Sequence, residues 1–598
     1  MILAAAVVII GVSALAPKLG VASPLLLVIL GFAMSHLPGL PTFEVPPQLI
    51  FLLVLPPLLY ATAVNVPTLD LRRNWGAISG LSVLLVLATS VVFGVILHFW
   101  LPGLGLAAGI AAGAVLSPTG AVATMVAKKV RAPHRLITML EGEGLLNDAM
   151  ALVVMRAAIA ATAATVTFSW VTGNFLWLVA GGIICGIIVG ILGIWMRRLI
   201  KFPELTTALT FVVPFAAFLA AESLNSSGEM AVVITGLFTG WAGKRYLEPQ
   251  DRQYGQYNWL TIATMLEGAL FFVMGLELST VFNDTRAIVN DAHHLWLLAA
   301  LSGAILLAIR AIFVFPLLLI LNHGAKRSHR RHHHLRNHLP KAAKRFKWAQ
   351  VPPDQIGPED SAALRQIADD AYRIREHLGR KEGIAILWAG MRGAVTLAAA
   401  QLLPWDFAYR SLLVLLAAIV AAGTLLFQGF TFPIILRWLN LINNRIYEPS
   451  HVRALRSILK DSSDSLLGDP YLRSEAGEPY HDDVVNEVKA SLMNEPTLIF
   501  MEEQLGDGAT PVPMENPVKT DAADNVFDLE YNQEAAWKRL RQFLELRRRV
   551  YEKQHETLLD VLKLGTHDSE AISRVFDTLD ADQMAVELRL EAVDAASE

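Results

Sequence analysis

Residues 135–163 read RLITMLEGEGLLNDAMALVVMRAAIAATA. The run is long enough to cross a bilayer, whose hydrocarbon core takes about 20 helical residues. Yet it carries Glu141, Glu143, Asp148 and Arg156. Ionisable groups inside a span are costly, so each requires a partner or a task. Helix geometry sorts them. At about 100° per residue, Asp148 and Glu143 stand about 140° apart and cannot face one partner. Asn147, four residues after Glu143, shares its face. Glu143 therefore needs a cation from another helix, and Arg310, in LLAIRAIFVFP (306–316), is the best available. Such a pair is structural, because a buried charge without its partner costs several kcal/mol. Asp148 has no obvious permanent partner, so it is poised to hold a proton or a cation. The plainer alternative is an Asp hydrogen-bonded to nearby backbone. Arg156, two turns further on, is expected to snorkel towards the outer face.

Working outward, the 598 residues are 54% hydrophobic and 17% charged, against roughly 25% charged in a soluble domain. A mean hydropathy of +0.44 over this length does not describe one soluble core, since such cores divide beyond about 250–300 residues. Breaks at proline, glycine and charge clusters give about thirteen spans. With the N-terminus outside, loops after odd-numbered spans are basic: Lys18; Arg72 and Arg73; Lys128, Lys129, Arg131 and Arg135; Arg197, Arg198 and Lys201; Lys244, Arg245 and Arg252. Loops after even-numbered spans carry almost none, Arg286 and Arg410 excepted, as the positive-inside rule requires. The first residues, MILAAAVVIIGVSALA, lack a basic n-region and read as the first span. The single cysteine, Cys185, excludes an internal disulfide.

The predicted fold is all-α and polytopic, with a soluble helical tail. Membrane segments occupy 1–322 and 384–440, separated by a basic, His-rich insertion at 323–383. A linker at 441–527 leads to a helical tail at 528–598. The insertion opens with HRRHHHLRNH (329–338). It is either a pH sensor or metal site, or a solvated loop beside anionic headgroups, the commoner fate of such clusters. In the tail, Leu540, Phe543, Leu544 and Val550 recur at helical spacing. They suit a regulatory or dimer-stabilising module and a solvated hairpin equally well.

Two spans look broken. The fifth reads AAGAVLSPTGAVATMVA (111–127), with Pro118 and Gly120 at its middle. The twelfth reads ILWAGMRGAVTLAAAQLLP (386–404), with Gly390 and Gly393. Proline removes a helical hydrogen bond and glycine frees the backbone. In a membrane such breaks survive where they are buried or line a cavity. Both contain Gly-Ala-Val, at 120–122 and 393–395, and their predicted directions are opposite. Inverted repeats with paired interrupted helices are a signature of secondary transporters. No HExxH motif occurs and no GxSxG lies near a membrane histidine, so no enzyme and no cofactor is expected. Membrane lipid is the expected partner; no nucleic acid is.

LPPLLY at 55–60, SPTGAVA at 117–123, EGEGLLNDA at 141–149, Arg310 and GMRGAVTLA at 390–398 together resemble the cation:proton antiporter 1 family. These are prokaryotic sodium/proton antiporters related to the animal sodium/proton exchangers. The resemblance covers about 1–322 and 382–440. It implies thirteen helices, a homodimer in the cell membrane with the tail in the cytoplasm, and electroneutral exchange by an elevator-like movement. It carries the family's Asn-Asp pair onto Asn147 and Asp148, and its buried glutamate–arginine pair onto Glu143 and Arg310. The arginine of the GLRG-like motif falls on Arg392, and the tenth-helix glutamate on Glu267. Three positions depart from the family. Gly120 stands where most members have Asp, Gly144 where many have Ser, and Ala61 where some archaeal members have Glu. A sodium ion would then rest on Asp148, Thr119, carbonyls of the broken helix around Pro118 and Gly120, and water. Sodium and proton would compete at Asp148. The alternatives are a potassium/proton exchanger or another proton-coupled carrier, and a transport-dead sensor.

Overall fold

A computed structural model describes residues 2–19, 23–36, 49–120, 122–162, 167–200, 202–286, 292–338, 365–370, 372–373, 378–442, 449–474, 476–493, 529–567 and 569–597. The described residues contain helices and no named strand. The first unit comprises 1–247, 254–328 and 373–444. It opens with α1 (Ile2–Leu19), α2 (Ser23–Ser35), α3 (Leu55–Val64), α4 (Thr68–Ser79) and α5 (Leu85–Trp100). Next come the short α6 (Leu106–Val115) and α7 (Val122–Lys129), then the long α8 (His134–Thr162). α9 (Phe168–Leu199), α10 (Pro203–Ser223), α11 (Gly228–Tyr246), α12 (Pro249–Arg286) and α13 (Ala292–His338) follow. The short α14 (Arg380–Trp388) and α15 (Ala394–Gln401) precede α16 (Arg410–Trp438).

Among the described residues, seven helices are long and apolar enough to cross a membrane. That is fewer than the thirteen spans read from sequence, for a physical reason: the two broken spans appear as half-helices, and several others are short. Large apolar side chains lie on the outside, among them Ile312, Phe315 and Ile320 on α13. Exposed apolar surface of this extent suits lipid rather than water.

Some boundaries differ from the sequence reading. Arg72 and Arg73 belong to α4 rather than to a loop, and Arg73 is buried with Asp70. Asp70 in turn meets His134 at 2.8 Å. The eleventh-span helix runs past 322 to His338. The side chains of the His-rich run 329–338 lie outside the described residues.

The second unit comprises 248–253, 329–372 and 445–598. It contains α17 (Pro449–Leu467), α18 (Asp482–Met493), α19 (Leu529–Leu564) and α20 (Ser569–Ser597). α17 supplies Leu455, Ile458 and Leu459 to one core with Tyr551, Leu558, Ile572 and Leu579. Val484 and Val488 of α18 pack with Leu546 and Val550. The stretch 441–527, read as linker, thus contains two helices of the tail's own core. Residues 494–528 lie outside the described residues. Leu544 and Val550 are buried as their spacing predicts, whereas Leu540 is exposed. Arg252 and His555 converge on Asp580, at 2.5 and 2.6 Å. Burial opposes charge on Asp580, but the hydrogen bonds from His555 and Arg252 outweigh it and hold the carboxyl below its ordinary range.

Candidate ion site at a helix crossing

α6 ends at Val115 and α7 begins at Val122, leaving Ser117–Gly120 outside both helices. α14 and α15 are separated likewise around Gly390–Gly393. The two breaks touch. The Gly120 amide donates to the Met391 carbonyl at 2.6 Å. A Cβ at Gly120 would lie 2.7 Å from the Gly393 Cα, and one at Gly393 would lie 2.5 Å from the Gly120 Cα. No side chain fits either position without moving backbone, so glycine at both lets the chains cross. Gly120 thus has a packing reason; it is more than a missing oxygen.

Each break leaves carbonyls at the C-terminal end of a half-helix, where the helix dipole is negative. Each end receives an arginine. Arg392 donates to the Ser117 carbonyl and, at 3.3 Å, to that of Pro118. The Thr396 hydroxyl adds a bond to the Pro118 carbonyl at 3.2 Å. Arg310 donates through Nε and Nη2 to the Ile386 carbonyl of α14, at 3.1 and 2.8 Å. It also grips both oxygens of Glu143, with Nη2 2.9 Å from Oε2 and Nη1 on Oε1. Both side chains are buried. This fork-to-fork arrangement is the strong form of an ion pair.

Asn147 and Asp148 stand on α8 beside the crossing. The Asn147 amide donates to the Thr119 hydroxyl at 3.1 Å and to the Ser117 carbonyl at 3.5 Å. It therefore braces the break in the α6–α7 span. Its own Oδ1 is buried without a partner. Asp148 is partly buried. Its Oδ1 is sealed from solvent, and no hydrogen bond reaches it among the described residues. Two acceptor oxygens on consecutive residues of α8 thus face no donor among the described residues, which costs energy at the carboxylate until a proton or cation arrives. Glu267 and Glu143 are near enough to act on Asp148 electrostatically. Glu143 is neutralised by Arg310, which leaves Glu267 as the second carboxylate of the neighbourhood.

The crossing thus brings together Glu143 with Arg310, Asn147 with Thr119, Arg392 with Pro118, and Gly120 with Gly393. It gives no hydrogen bond between Thr119 and Asp148 among the described residues. Gly144 has open space beside it, the nearest atom to a Cβ there being the Thr119 carbonyl oxygen at 3.8 Å. Ala61 is buried. Glu141 pairs with Lys128 at 2.5 Å, at the edge of the span.

Arg156 does not snorkel. Its guanidinium meets Glu222 at 2.5 Å and Glu229 at 3.1 Å, over the Phe51 ring. Glu229 is fully buried and accepts a hydrogen bond from Ser227 at 2.9 Å. The two glutamates bracket the short connection between α10 and α11, and sequence reasoning passed over them as span ends. The spacing of two carboxylates around ESLNSSGE (222–229) was the available signal.

Comparison with known proteins agrees with this architecture. An uncharacterized sodium/proton exchanger of Mycobacterium tuberculosis is 29% identical over 72% of this chain and 73% of its own. The low-affinity sodium/proton antiporter NhaS1 of Synechocystis sp. is 28% identical over 70% of each chain. A sodium, potassium, lithium and rubidium/proton antiporter of Bacillus subtilis is 33% identical over 44% of this chain and 41% of its own. The transmembrane sodium/hydrogen exchanger family profile matches residues 2–438. The chain is a multi-pass membrane protein belonging to the sodium/hydrogen exchanger family.

Proposed function

We propose that the chain exchanges sodium for protons one-for-one, with the two ions competing for Asp148. The observation that carries this reading is the sealed, unpartnered Asp148 Oδ1, on the residue next to Asn147, whose amide braces Thr119 in the break. A single carboxylate that must be neutralised before it is comfortable holds one proton or one monovalent cation, and never both. Thr119 supplies a hydroxyl oxygen to the cation, and Asn147 holds that hydroxyl in place. Carbonyls around Pro118 and Gly120 complete the oxygen shell with water. Arg392 keeps the α6 end charge-balanced, and the Glu143–Arg310 pair keeps that end of α14 fixed. Glu267 adds negative potential that draws cations towards Asp148. The chain works in this scheme as a transporter rather than an enzyme: no covalent step is needed. The alternation of basic loops supports an N-terminus outside and a cytoplasmic tail, and we infer a homodimer in the cell membrane.

A second reading widens the cation. Gly120, Gly144 and Ala61 offer no side-chain oxygen, so the shell relies on carbonyls and water, and carbonyl oxygens can replace the hydration shell of potassium as well as of sodium. Potassium/proton exchange follows if the shell is loose. The test is cation-driven dequenching of a pH-sensitive dye in everted vesicles, with sodium, lithium and potassium compared. The parent should exchange sodium, with apparent cation affinity falling as pH falls because protons compete. Asp148→Asn should reduce exchange to background at every pH. An Asp148→Asn protein exchanging at the parent rate would overturn the proposal.

A further inference from the structure

α13 and α16 enclose a cavity of about 450 Å³, within the rough 300–1,000 Å³ range of small-molecule sites. Its lining comes from these two helices alone and does not include Asp148. Two glycines on opposite walls create the space. A Cβ at Gly303 or at Gly423 would meet no atom within 4 Å. The walls are otherwise mostly apolar, with two polar side chains. The Thr424 hydroxyl is committed: it donates to the Val420 carbonyl at 2.8 Å and accepts the Arg392 backbone N–H at 3.1 Å. Gln428 is not committed. It is 5% exposed, its Oε1 is buried without a partner, and no hydrogen bond reaches its amide among the described residues. A buried amide without a partner calls for an occupant.

The surroundings restrict that occupant. Trp296 and Phe427, which also line the cavity, are 56% and 63% exposed, so it opens on the apolar surface that meets hydrocarbon. Gln428 lies ten residues before Trp438, about 15 Å along the helix. At that depth a charged group would be costly. A hydroxyl suits the amide either way, as donor to Oε1 or as acceptor from Nε2. We propose that this cavity binds an uncharged, membrane-dissolved amphiphile carrying a hydroxyl. Its apolar body lies between Gly303 and Gly423 and its hydroxyl on the Gln428 amide. Because Thr424 holds the backbone of Arg392, the site adjoins the helix crossing and its occupant stiffens one wall of it.

The probes are 1-dodecanol and dodecane, matched in chain length, bound to the full chain in nanodiscs and referred to their mole fraction in the lipid. Dodecanol should bind about fivefold more tightly, the factor expected for one added hydrogen bond. Gln428→Leu should bring the two probes to within twofold of each other. Gly303→Leu fills the cavity from α13 and should abolish binding of both; Gly423→Leu does so from α16 if the first variant fails to fold. Equal affinity for the two probes in the parent would overturn the proposal by showing a groove for hydrocarbon alone. So would binding of neither probe, or undiminished binding in a folded glycine variant.

Discussion

The two broken helices solve one problem with different charge balances. Each exposes carbonyls at the end of a half-helix, and each receives a buried arginine there. Arg310 is also gripped by Glu143, so its charge is cancelled. Arg392 meets carbonyl oxygens, and among the described residues no carboxylate lies at ion-pair distance from it. The α14 end is therefore locked by an ion pair, and the α6 end is held by hydrogen bonds from the Arg392 guanidinium to carbonyl dipoles. Asp148 and Thr119, the groups proposed to handle ions, stand beside the α6 end. A half-helix end held by an arginine on carbonyls, with no carboxylate in the pairing, can adjust to a changing charge nearby at lower cost than one fixed by a bidentate ion pair. The difference assigns a scaffold role to the Glu143–Arg310 side of the crossing and an adaptable role to the Arg392 side.

Removing one arginine at a time tests that assignment. Arg310→Ala leaves Glu143 buried without its cation and should destabilise the protein by about 3–5 kcal/mol, read as a lower melting temperature in detergent. Adding Glu143→Gln should recover most of the loss, because the stranded charge is gone. Arg392→Ala strands carbonyl oxygens instead of a carboxylate and should cost about 1–3 kcal/mol, with no recovery from Glu143→Gln. Equal losses for the two arginines, or no rescue of Arg310→Ala, would erase the distinction. Transport should separate them in the opposite sense. Arg392→Lys keeps the charge but loses the planar fork, and should alter the pH profile of exchange more than the melting temperature.

Much of the fold was legible because the membrane imposes simple rules. Apolar runs must be long, and a buried Glu143 must find a cation among very few. The broken helices announced themselves through Pro118 and the paired glycines. What escaped notice depended on tertiary proximity. The two carboxylates of ESLNSSGE signal a need for a cation but do not point to Arg156, and nothing local in the sequence says that Asp70 reaches His134. Gly120 is the instructive case. Read along the chain, it is a position that lost an oxygen. In three dimensions it is the point where two backbones cross, and the contact with Gly393 is visible only once both breaks are placed together. The tail hid its helices differently: Val484 and Val488 have helical spacing, but the acidic, Gly- and Pro-containing sequence around them reads as linker.

The glycines give the smaller and finer tests. Gly393→Ala places a Cβ 2.5 Å from the Gly120 Cα, and backbone on both sides must shift to relieve it. Such overpacking costs about 1–3 kcal/mol, and exchange should fall with it because Thr119 is displaced together with Gly120. Gly144→Ser is the control from the same neighbourhood. Its Cβ meets only the Thr119 carbonyl oxygen, at an ordinary 3.8 Å, so melting should change by less than about 0.5 kcal/mol. It also adds a hydroxyl close to the proposed cation shell. If that shell is carbonyl-rich and loose, the new oxygen should raise apparent sodium affinity relative to potassium while leaving the Glu143–Arg310 lock untouched. A Gly144→Ser protein with unchanged sodium-to-potassium preference would place the cation away from Thr119. The adaptable half of the crossing would then serve movement rather than binding.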